Sequence, residues 1–486
     1  MTDLLAAARA AARAEGFDPD FGPDVQREVA ATRAPQFPTD ARDLRGLLWS
    51  SIDNVESQDL DQIEYAERVD GGIRLMIGIA DVDALVPRDS AIDLHAKTNA
   101  TSLYTGVAIF PMLPEQLSAG LTSLLPDQDR LAIVIDIVVR PDGSVDSRSA
   151  YRAIVRNKAK LAYESVGAWL EKNFPSPDYP PPSADTPIPD IPANLAAQLQ
   201  IQAQAARELK NERRRAGALE FDTIEARPIT KDGRVVDLTV TRKNRARDLI
   251  EDFMIAANIS TSKILESKGS SGIRRVVRRP ERWPRIVDLV RQHGGTLPPE
   301  PDSHALAQFL SQARAKDPLR FPDLSLAIVK LLGRGEYALD LPGKDTDGHF
   351  GLAADDYSHA TAPNRRYADL VQHRLLKTAL AGAKQPYTND ELAAIAAHCT
   401  DREDAAQKVE RHMRKVAAAD LLSQRVGQSF DAIVTGVTSK GTFARLLHPP
   451  AEGRVIRGEH GLDVGDRVRL RLVHVDRDKG YIDLAR

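Results

Sequence analysis

Short apolar runs, several of them alternating with polar residues, dominate the first third of the chain and predict β-strands. Three of these runs are LLWSSID, IEYAERV and IRLMIGIA, and the last two flank a DGG turn at residues 70–72 that is typical of a hairpin. A second hairpin is predicted in RLAIVIDIVVRPDGSVDSRSAYRAIV, which turns at PDG, residues 141–143. Residues 46–155 are therefore predicted to be mostly β, with one helix near 90–103.

Helical periodicity replaces the strand pattern in the middle of the chain. A proline-rich segment at 172–193 is predicted to be an exposed loop, strands are expected near 222–241, and the segment 270–345 is mixed and mainly helical. The long helical patterns cover residues 194–215, 245–267, 363–382 and 389–425.

The two ends of the chain differ from the middle. Residues 1–45 predict two short helices, near 3–15 and 23–33, which form either a small helix-turn-helix or an arm packed on the next domain. Residues 427–486 carry glycine-punctuated alternating segments such as SFDAIVTGV and RVRLRLVHVD, a pattern that suggests a small closed barrel. The predicted fold class is thus α+β and multidomain, with a helical N-terminal segment, an α+β domain built on a mixed sheet at 46–425, and a β-barrel.

Composition narrows the class of protein. The 486 residues suggest about two to four domains, and 42% hydrophobic with 28% charged residues is typical of a globular chain. No run of about 18 apolar residues predicts a membrane span, and the N-terminus lacks the pattern of a secretory signal. Cys399 is the only cysteine, which excludes an intrachain disulfide and a cysteine-built zinc site and fits a reducing cytoplasm. A net charge of −3 means that nucleic-acid binding would need local basic patches or metal ions.

One stretch, SIDNVESQDLDQIE, concentrates acidic side chains next to a predicted strand. Asp59 and Asp61 are two residues apart, so in extended backbone both point the same way, and the loop before them can bring Asp53 close. Three hard oxygen donors without a nearby histidine or cysteine suit Mg²⁺ or Mn²⁺. A solvated acidic loop is the alternative from spacing alone. Glu56 and Glu64 are interpreted as bystanders.

The same stretch resembles the catalytic loop of the RNB family, the ribonuclease II and ribonuclease R exoribonucleases. The resemblance continues in order from residue 52 to residue 376, and the C-terminal segment GLDVGDRVRLRLVHVD is similar to the S1 RNA-binding domain, an OB-fold that such enzymes carry at this place. The further matching blocks are IADVDALV, FPMLPEQLSAGLTSLLPDQDRLA, NKAKLAYESVGAWLE, IEDFMIAAN, HFGL and YSHATAPNRRYADLVQHRLL.

The resemblance implies a hydrolase that removes nucleoside 5′-monophosphates processively from the 3′ end of RNA, in a channel that admits a single strand. It also implies two Mg²⁺ ions, which Mn²⁺ can replace, one to activate water and one to stabilise the leaving oxygen. Family members hold these ions with four aspartates, of which three match Asp53, Asp59 and Asp61, while Gln62 stands at the fourth position. These four residues are the candidate metal ligands, and the three aspartates are also candidate catalytic residues.

Gln62 leaves two interpretations of the site. An amide oxygen ligates a metal without charge, so in an active enzyme we expect a higher metal requirement or a preference for Mn²⁺. The alternative is an RNA-binding protein with the RNB fold and weakened catalysis. A metal-dependent nuclease acting on DNA is a third and weaker hypothesis.

Other residues of the matching blocks are predicted to bind RNA. Arg365, in APNRRYADL, matches the family arginine that grips the scissile phosphate and is a candidate catalytic residue, and Arg366 is predicted to support it or the backbone. Tyr104, in ATSLYTG, and Phe221, in GALEFD, match residues that sandwich bases, and Tyr163, in KLAYESV, matches another active-site aromatic. Stacking on aromatic rings tolerates any base. Core packing is the alternative for each of these aromatics.

Sugar recognition and the S1-like segment supply the remaining candidates. Glu251, in LIEDFM, matches an acid that contacts the 3′-terminal ribose, and Asp252 replaces it if the register is shifted by one. Lys440, Phe443 and Arg445 lie on one predicted hairpin of the S1-like segment and combine an aromatic with basic residues, as OB surfaces that bind single strands do.

The expected partner is single-stranded RNA, with structured RNA carrying a 3′ overhang as a second candidate, and a monomer is expected. Related enzymes usually carry two cold-shock domains ahead of the catalytic domain. The resemblance begins here after only about 45 residues, too few for one OB barrel. Entry of RNA into the channel is therefore expected to differ from that in the family.

Overall fold

The computed structural model describes residues 3–176, 178–179, 181–182, 186–222, 225–231, 234–241, 244–318, 320–344, 347–438 and 441–486. Within these residues the α-helices are α1 (Leu4–Ala14), α2 (Pro23–Ala31), α3 (Ala91–Asn99), α4 (Tyr163–Asn173), α5 (Ala193–Arg215), α6 (Arg245–Ser267), α7 (Trp283–Gln292), α8 (Ser303–Lys316), α9 (Phe321–Leu332), α10 (Tyr367–Leu380) and α11 (Asn389–Leu422). The strands are β1 (Arg42–Asp43), β2 (Trp49–Asp53), β3 (Gln62–Val69), β4 (Gly72–Ala80), β5 (Leu103–Tyr104), β6 (Ile109–Phe110), β7 (Asp129–Val139), β8 (Val145–Ala162), β9 (Glu225–Lys231), β10 (Arg234–Thr241), β11 (Gly272–Val276), β12 (Glu336–Asp340), β13 (Ser429–Thr438), β14 (Gly441–Leu446), β15 (Glu452–Arg457), β16 (Arg467–Asp476) and β17 (Tyr481–Ala485). Short 3-10 helices lie at Val82–Ala84, Phe350–Leu352 and Ser423–Arg425, and a π-helical turn at Leu117–Leu121.

The core of the large domain is a mixed six-stranded sheet with the strand order β1-β8-β2-β3-β4-β7. The long strand β8 pairs with β7 along its first half and with β2 near its end, so the sheet curls back on itself. Strand β4 is an almost continuous apolar run and is buried over most of its length, as expected for a strand covered on both faces. The acidic stretch connects β2 and β3, which are neighbours in this sheet.

Helices cover the sheet and complete its hydrogen bonding. Helix α5 lies along β3, where the Gln198 amide donates to the Ala66 carbonyl at 2.8 Å and accepts from the Ala66 N–H at 3.0 Å. This side chain takes the place of a neighbouring strand and satisfies backbone groups at an open position. The same helix therefore covers the part of β3 that follows the acidic stretch.

Most predicted elements are confirmed, but two helices differ in their bounds, and helix α4 and the two-residue strands β1, β5 and β6 were not predicted. Helix α3 is shorter than predicted because Ala100 adopts a left-handed conformation, with φ of 56°, that ends it. Helix α10 begins at Tyr367 rather than at 363, because the Arg365 and Arg366 N–H groups both donate to the Ala362 carbonyl and form a separate turn. Strand β15 is missing from the sequence prediction.

The N-terminal segment packs on the large domain. Leu4, Ala8 and Ala12 share the apolar face of α1 and are buried in a cluster with residues of α11. The Asn99 side chain donates to the Asp18 carbonyl at 2.8 Å and accepts from the Asp18 N–H at 2.9 Å. Of the two interpretations of residues 1–45, these contacts favour the packed arm.

The C-terminal strands form a closed barrel with the order β13-β14-β15-β17-β16, which confirms the predicted barrel. The barrel is joined to the large domain by two ion pairs, Arg477 with Asp420 of α11 and Arg445 with Asp323 of α9. In the described part of the chain, no helix combines the length and the apolar character needed to cross a membrane.

Candidate active site

The acidic stretch turns back on itself where β2 ends. Asp53 is the last residue of β2, and its carboxylate accepts from the Asn54 N–H at 2.6 Å and from the Ser57 hydroxyl at 3.0 Å. These bonds close a tight loop immediately after the strand. The chain then returns toward Asp53 with Asp59 and Asp61, which lie just before β3.

Side chains from other elements hold the loop. The Ser123 hydroxyl donates to the Gln58 carbonyl at 2.6 Å and accepts from the Leu60 N–H at 2.9 Å. The Lys160 ammonium, on β8, donates to the Val55 carbonyl at 3.0 Å. The backbone that carries the acids is therefore fixed from two sides.

Burial and mutual repulsion disfavour the ionised forms of Asp59 and Asp61. Asp61 is only 4% exposed, and burial raises the pKa of its carboxyl to about 7, although Arg365 and the Asn364 N–H act in the opposite direction. Burial also raises the pKa of Asp59, and the nearby charge of Asp53 adds to that rise. A bound cation would relieve both effects, because it stabilises the ionised carboxylates.

The donor set fits a hard divalent ion, although the side chains do not form a closed cage. Among the described residues, no group of three or more histidine, cysteine, aspartate or glutamate side chains is arranged to hold a metal. The Asp61 carboxylate instead accepts the Asn364 N–H at 3.1 Å. The neighbouring donors are carboxylate oxygens and the Gln62 amide, which suit Mg²⁺ or Mn²⁺, and crowded buried acids need a counter-charge.

Glu64 and Glu56, the two acids interpreted as bystanders, have different environments, because Glu56 is exposed and Glu64 is buried. The Glu64 side chain is fully buried in β3, and neither carboxylate oxygen has a hydrogen-bond partner among the described residues. Burial raises the pKa of Glu64 well above its usual range, and the charge of Asp53 adds to the rise. Strand alternation places it on the same face of β3 as Gln62. The burial of this residue was not predicted, because alternation does not reveal that the face is covered.

Arg365 presents an exposed guanidinium beside the buried acids. The side chain is 44% exposed, and its Nε lies 3.8 Å from the Asp61 carboxylate. The turn that carries it is fixed, because the Ser102 N–H donates to the Arg365 carbonyl at 3.0 Å and the Thr122 hydroxyl donates to the Asn364 side chain at 2.6 Å. The turn thus holds a half-exposed guanidinium, only loosely paired with Asp61, next to the acids.

Arg366 has a different environment from its neighbour. Its guanidinium donates to the Asp369 carboxylate at 2.7 Å, and that carboxylate also accepts the Ala362 N–H at 2.8 Å. Burial opposes the charge of Arg366, but Asp369 outweighs it and raises the pKa of the guanidinium. These bonds stabilise the turn that carries Arg365, as predicted for Arg366. The contact of Arg366 with RNA stays a prediction.

Two of the three predicted aromatic residues lie beside the acids. Tyr104 is 37% exposed, and a hydrogen bond from its side chain opposes the rise in the pKa of Asp59. Tyr163 opens α4, where burial and the charge of Asp53 raise the pKa of its hydroxyl. The Arg247 guanidinium lies 4.4 Å from the centre of the Tyr163 ring. Arg247 was missed from the sequence, because its position in RARDLIEDFM shows only a basic residue near a helix start.

Phe221 and the acids of α6 have other surroundings. Phe221 packs against the apolar cluster of α7, α8 and α9. Glu251 is exposed, whereas Asp252 is buried and bonded to Arg213. Burial raises the pKa of Asp252 to about 7 even though Arg213 opposes it. The exposed position favours Glu251 over Asp252 as the acid available to a ligand.

The barrel residues are divided between the surface and the interface. Phe443 and Arg445 lie on β14, but the Arg445 guanidinium is 3.4 Å from the Asp323 carboxylate and is engaged within the protein. Lys440 lies outside the described residues. The exposed arginines that share one face of β16 are Arg467, Arg469 and Arg471.

Comparison with known families agrees with the resemblance drawn from the sequence. The model described as the RNB domain matches residues 41–382, and the model described as the RNase II-type exonuclease C-terminal S1 domain matches residues 428–486. The first match covers more than half of the chain. The chain therefore belongs to the RNB-domain family and carries an RNase II-type S1 domain.

Individual relatives add detail to this assignment. Ribonuclease R 1 of Lactococcus lactis is 29% identical over 474 residues, which cover 91% of this chain and 55% of that protein, so the chain spans little more than half the length of this curated relative. The structure of Mycoplasma genitalium RNase R in complex with ribose methylated single-stranded RNA has a TM-score of 0.87 at 24% identity, covering 99% of this chain and 78% of that one. Yeast Ssd1, described as a pseudonuclease, has a TM-score of 0.70 at 15% identity, covering 92% of this chain and 55% of that one. The fold is therefore common to a nuclease and a pseudonuclease, and activity has to be argued from the residues.

Proposed function

We propose that this chain is a 3′-to-5′ exoribonuclease that hydrolyses single-stranded RNA processively to nucleoside 5′-monophosphates. The observation that carries the proposal is the exposed guanidinium of Arg365 next to the half-buried Asp59 and the buried Asp61. A phosphodiester fits between a free guanidinium and a cation-binding acid group, because its charge is then neutralised from two sides. The RNA bound by the Mycoplasma relative supports RNA as the substrate class.

The side chains of the acidic stretch would hold the metal ions that this chemistry requires. Asp53, Asp59, Asp61 and Gln62 are the proposed ligands of two Mg²⁺ ions, with Mn²⁺ as a substitute. Such ions supply Lewis-acid polarisation of the phosphate when they are bound. The loop bonds of Asp53 and the Asn364 N–H on Asp61 orient the carboxylates before the substrate arrives, which reduces reorganisation during the reaction.

Arg365 is the proposed phosphate-binding residue. A guanidinium can donate to two phosphate oxygens at once, and its charge stabilises negative charge that develops on them during attack by water. The turn around Arg365 is held at Ser102 and Thr122, so the backbone that carries the group is positioned before binding and only the side chain has to be ordered.

The aromatic residues and Glu251 would position the terminal nucleotide. Tyr104 and Tyr163 offer ring faces for stacking, which is independent of base identity, and Arg247 braces the Tyr163 ring. Glu251 is the proposed acceptor for the ribose 2′-hydroxyl, which would favour RNA over DNA. Phe443 and the exposed arginines of β16 are proposed to bind the strand outside the channel.

A second candidate function is RNA binding with weakened catalysis. The uncharged Gln62 favours it, and the pseudonuclease relative has the same fold. Against it stands the presence of Asp53, Asp59, Asp61 and Arg365 together, since a protein that only binds RNA needs no crowded buried acids.

The deciding experiment follows 5′-labelled single-stranded RNA in Mg²⁺ with wild type and Asp61→Asn. We expect wild type to shorten the labelled RNA one nucleotide at a time from its 3′ end, and we expect the variant to leave the RNA intact. Glu56→Gln, an exposed acid of the same loop, is the matched control and should degrade RNA normally. If wild type binds the RNA but shortens it no faster than Asp61→Asn, the second candidate function replaces the first.

A further inference from the structure

Arg247 lies in the first turn of α6 and reaches the end of the β2–β8 pair. These two strands run parallel there, and Asp53, the last residue of β2, is the register partner of Ala162, the last residue of β8. The chain continues from these two residues as Asn54 and Tyr163. The strand pairing therefore brings the proposed metal ligand Asp53 next to the residue before the proposed stacking residue Tyr163.

One guanidinium contacts both of the residues that follow these strands. The Arg247 Nη2 atom donates to the side-chain oxygen of Asn54 at 3.2 Å, and the guanidinium carbon lies 4.4 Å from the centre of the Tyr163 ring. The Asn54 N–H in turn donates to the Asp53 carboxylate at 2.6 Å. Asn54 thus links Arg247 to a proposed metal ligand, while the same guanidinium covers a proposed stacking ring.

The backbone of Arg247 is fixed where these contacts are made. The Asn244 side chain caps α6 and accepts the Arg247 N–H at 2.9 Å. Gly167 of α4 leaves room for this cap, because a Cβ atom there would lie only 3.1 Å from the Asn244 side chain. The start of α6 is therefore packed closely on α4, and the Arg247 side chain extends from a rigid backbone.

Stability alone does not account for the contacts of Arg247. Its Nη2 atom also donates to the Glu164 carboxylate at 2.6 Å, but the Glu164 side chain is 57% exposed, and exposed ion pairs stabilise a protein little. Its Nε atom is buried and has no hydrogen-bond partner among the described residues, which is unfavourable. The competing explanation is an ion pair that joins α6 to α4 without any effect on the site.

We infer that Arg247 is a positioning residue that holds Asp53 and the Tyr163 ring in one fixed arrangement, so that the metal site and the binding site of the terminal nucleotide are oriented together. This inference rests on the proposed function, because it takes Asp53 as a metal ligand and Tyr163 as a stacking residue. It deepens that function by adding the bond to Asn54, through which α6 acts on the acidic stretch.

The test measures two affinities of the intact protein separately. Mn²⁺ binding is measured without RNA, by electron paramagnetic resonance of the free ion, and binding of a short single-stranded RNA is measured in chelator, by fluorescence anisotropy. Arg247→Met keeps a long side chain and removes the charge and the hydrogen bonds. We expect Mn²⁺ binding to weaken about tenfold, because outer residues orient metal ligands. We expect RNA binding to weaken about fivefold, because the stacking ring is no longer held.

Further variants separate positioning from stability. Arg245→Met makes the same change two residues earlier, where the guanidinium binds the Glu171 carboxylate and the Phe174 carbonyl at the other end of α4. It should lower the melting temperature, while both affinities stay within about twofold of wild type. Asn54→Ala should weaken Mn²⁺ binding alone, and Tyr163→Leu should weaken RNA binding alone.

A second substitution of Arg247 covers the case in which the methionine variant does not fold. Arg247→Lys keeps a charge over the Tyr163 ring but loses the planar group that also reaches Asn54. It should weaken Mn²⁺ binding several-fold and leave RNA binding closer to that of wild type.

The outcomes distinguish this inference from the function on which it rests. If Arg247→Met lowers only the melting temperature, or weakens only one of the two affinities, Arg247 does not hold the two residues together, and the proposed function stands. A further loss of RNA affinity when Arg247→Met is added to Tyr163→Leu would also contradict the inference, because Arg247 would then act by another route than the ring. If wild type binds no Mn²⁺, the proposed metal site is wrong and the role of Arg247 is wrong with it.

Discussion

Two groups of acids lie near the same sheet, and only one of them is closely paired with cations. Asp81 and Asp83, just after β4, meet two cations of α10: the Lys377 ammonium is 2.7 Å from Asp81 and 2.6 Å from Asp83, and the Arg374 guanidinium is 2.6 Å from Asp83. Burial alone would raise the pKa of Asp83, but Lys377 and Arg374 outweigh it, so the pKa is lowered. The two cations of α10 therefore balance the charge of these acids within the fold.

The acids of the candidate active site show the opposite balance. Burial and the charge of Asp59 disfavour the ionised form of Asp61. The guanidinium of Arg365 lies 3.8 Å from Asp61 and is 44% exposed. Glu64 has no partner in the described part of the chain. The same type of residue thus has two environments: the acids bound by Lys377 and Arg374 hold α10 against the sheet, and the weakly paired acids are the ones proposed to bind a cation.

Removing Asp61, which is only loosely paired with Arg365, should give the largest effect, and it should appear in activity rather than stability. We expect Asp61→Asn to slow release of mononucleotides by about 1000-fold, because it removes charge from the proposed metal site. In chelator, its free energy of unfolding should equal or exceed that of wild type. Activity assays and chemical denaturation measure the two quantities. Asp70→Asn, an exposed turn acid, is the control, and a large loss of stability in Asp61→Asn would break the comparison.

Removing a paired acid should do the reverse. Asp83→Asn leaves Arg374 and Lys377 with too little negative charge in a buried position, so we expect a loss of about 3 kcal/mol in the free energy of unfolding. The rate per folded molecule should stay close to wild type at temperatures where the variant is folded. Urea denaturation and active-site titration would check both. A variant as stable as wild type would show that the ion pairs of α10 do not hold the fold.

The raised pKa of Asp61 should make the stability of the metal-free protein depend on pH. The pKa of Asp61 is raised from 3.8 to about 7, so the metal-free folded protein binds a proton that the unfolded chain has released. The stabilisation is complete below pH 4 and is lost as pH rises to 7, which amounts to about 2 kcal/mol between pH 5 and pH 7. The raised pKa of Asp252 changes the free energy of unfolding in the same direction. The quantity to measure is therefore the slope of the free energy of unfolding against pH, in chelator, for wild type minus that for Asp61→Asn. Equal slopes would contradict the raised pKa of Asp61.

Adding an acid to the unpaired group should give the smallest effect. Gln62→Asp places a fourth family-type carboxylate in the site, and we expect the Mg²⁺ concentration for half-maximal activity to fall about tenfold or less. The metal-free protein should become slightly less stable because one more buried acid repels the others. Metal titrations of activity and melting curves in chelator measure these changes. A higher Mg²⁺ requirement would mean that the amide is the better ligand in this chain.

The sequence was sufficient for those parts of the site that depend on local pattern. Alternation and turn composition predicted β2, β3 and the hairpin to β4, and the acidic stretch was correctly located between the first two strands. The structure also brings Arg365 to Asp61, as the family motif implied. These features are encoded within a few residues or within one motif.

Features that depend on distant contacts could not be predicted in the same way. Periodicity gives the face of β3 that carries Glu64, but only the packing of α5 shows that this face is closed. Arg445 looked like a free basic residue on a hairpin, and its partner, Asp323, lies more than a hundred residues earlier in α9. Burial and pairing of charged groups are properties of the tertiary structure, so they are the weakest part of sequence interpretation.

Helix α11 contacts both the candidate active site and the barrel. Its residue Glu410 accepts the Tyr104 N–H at 3.1 Å, and its residue Asp420 binds Arg477 of the barrel. Ten residues of helix separate these contacts, a rise of about 15 Å along a stiff rod. Helix α11 thus keeps the barrel at a fixed distance from the backbone of Tyr104. The barrel surface proposed to bind the RNA and the Tyr104 ring proposed to stack on its last base are therefore held at a constant separation.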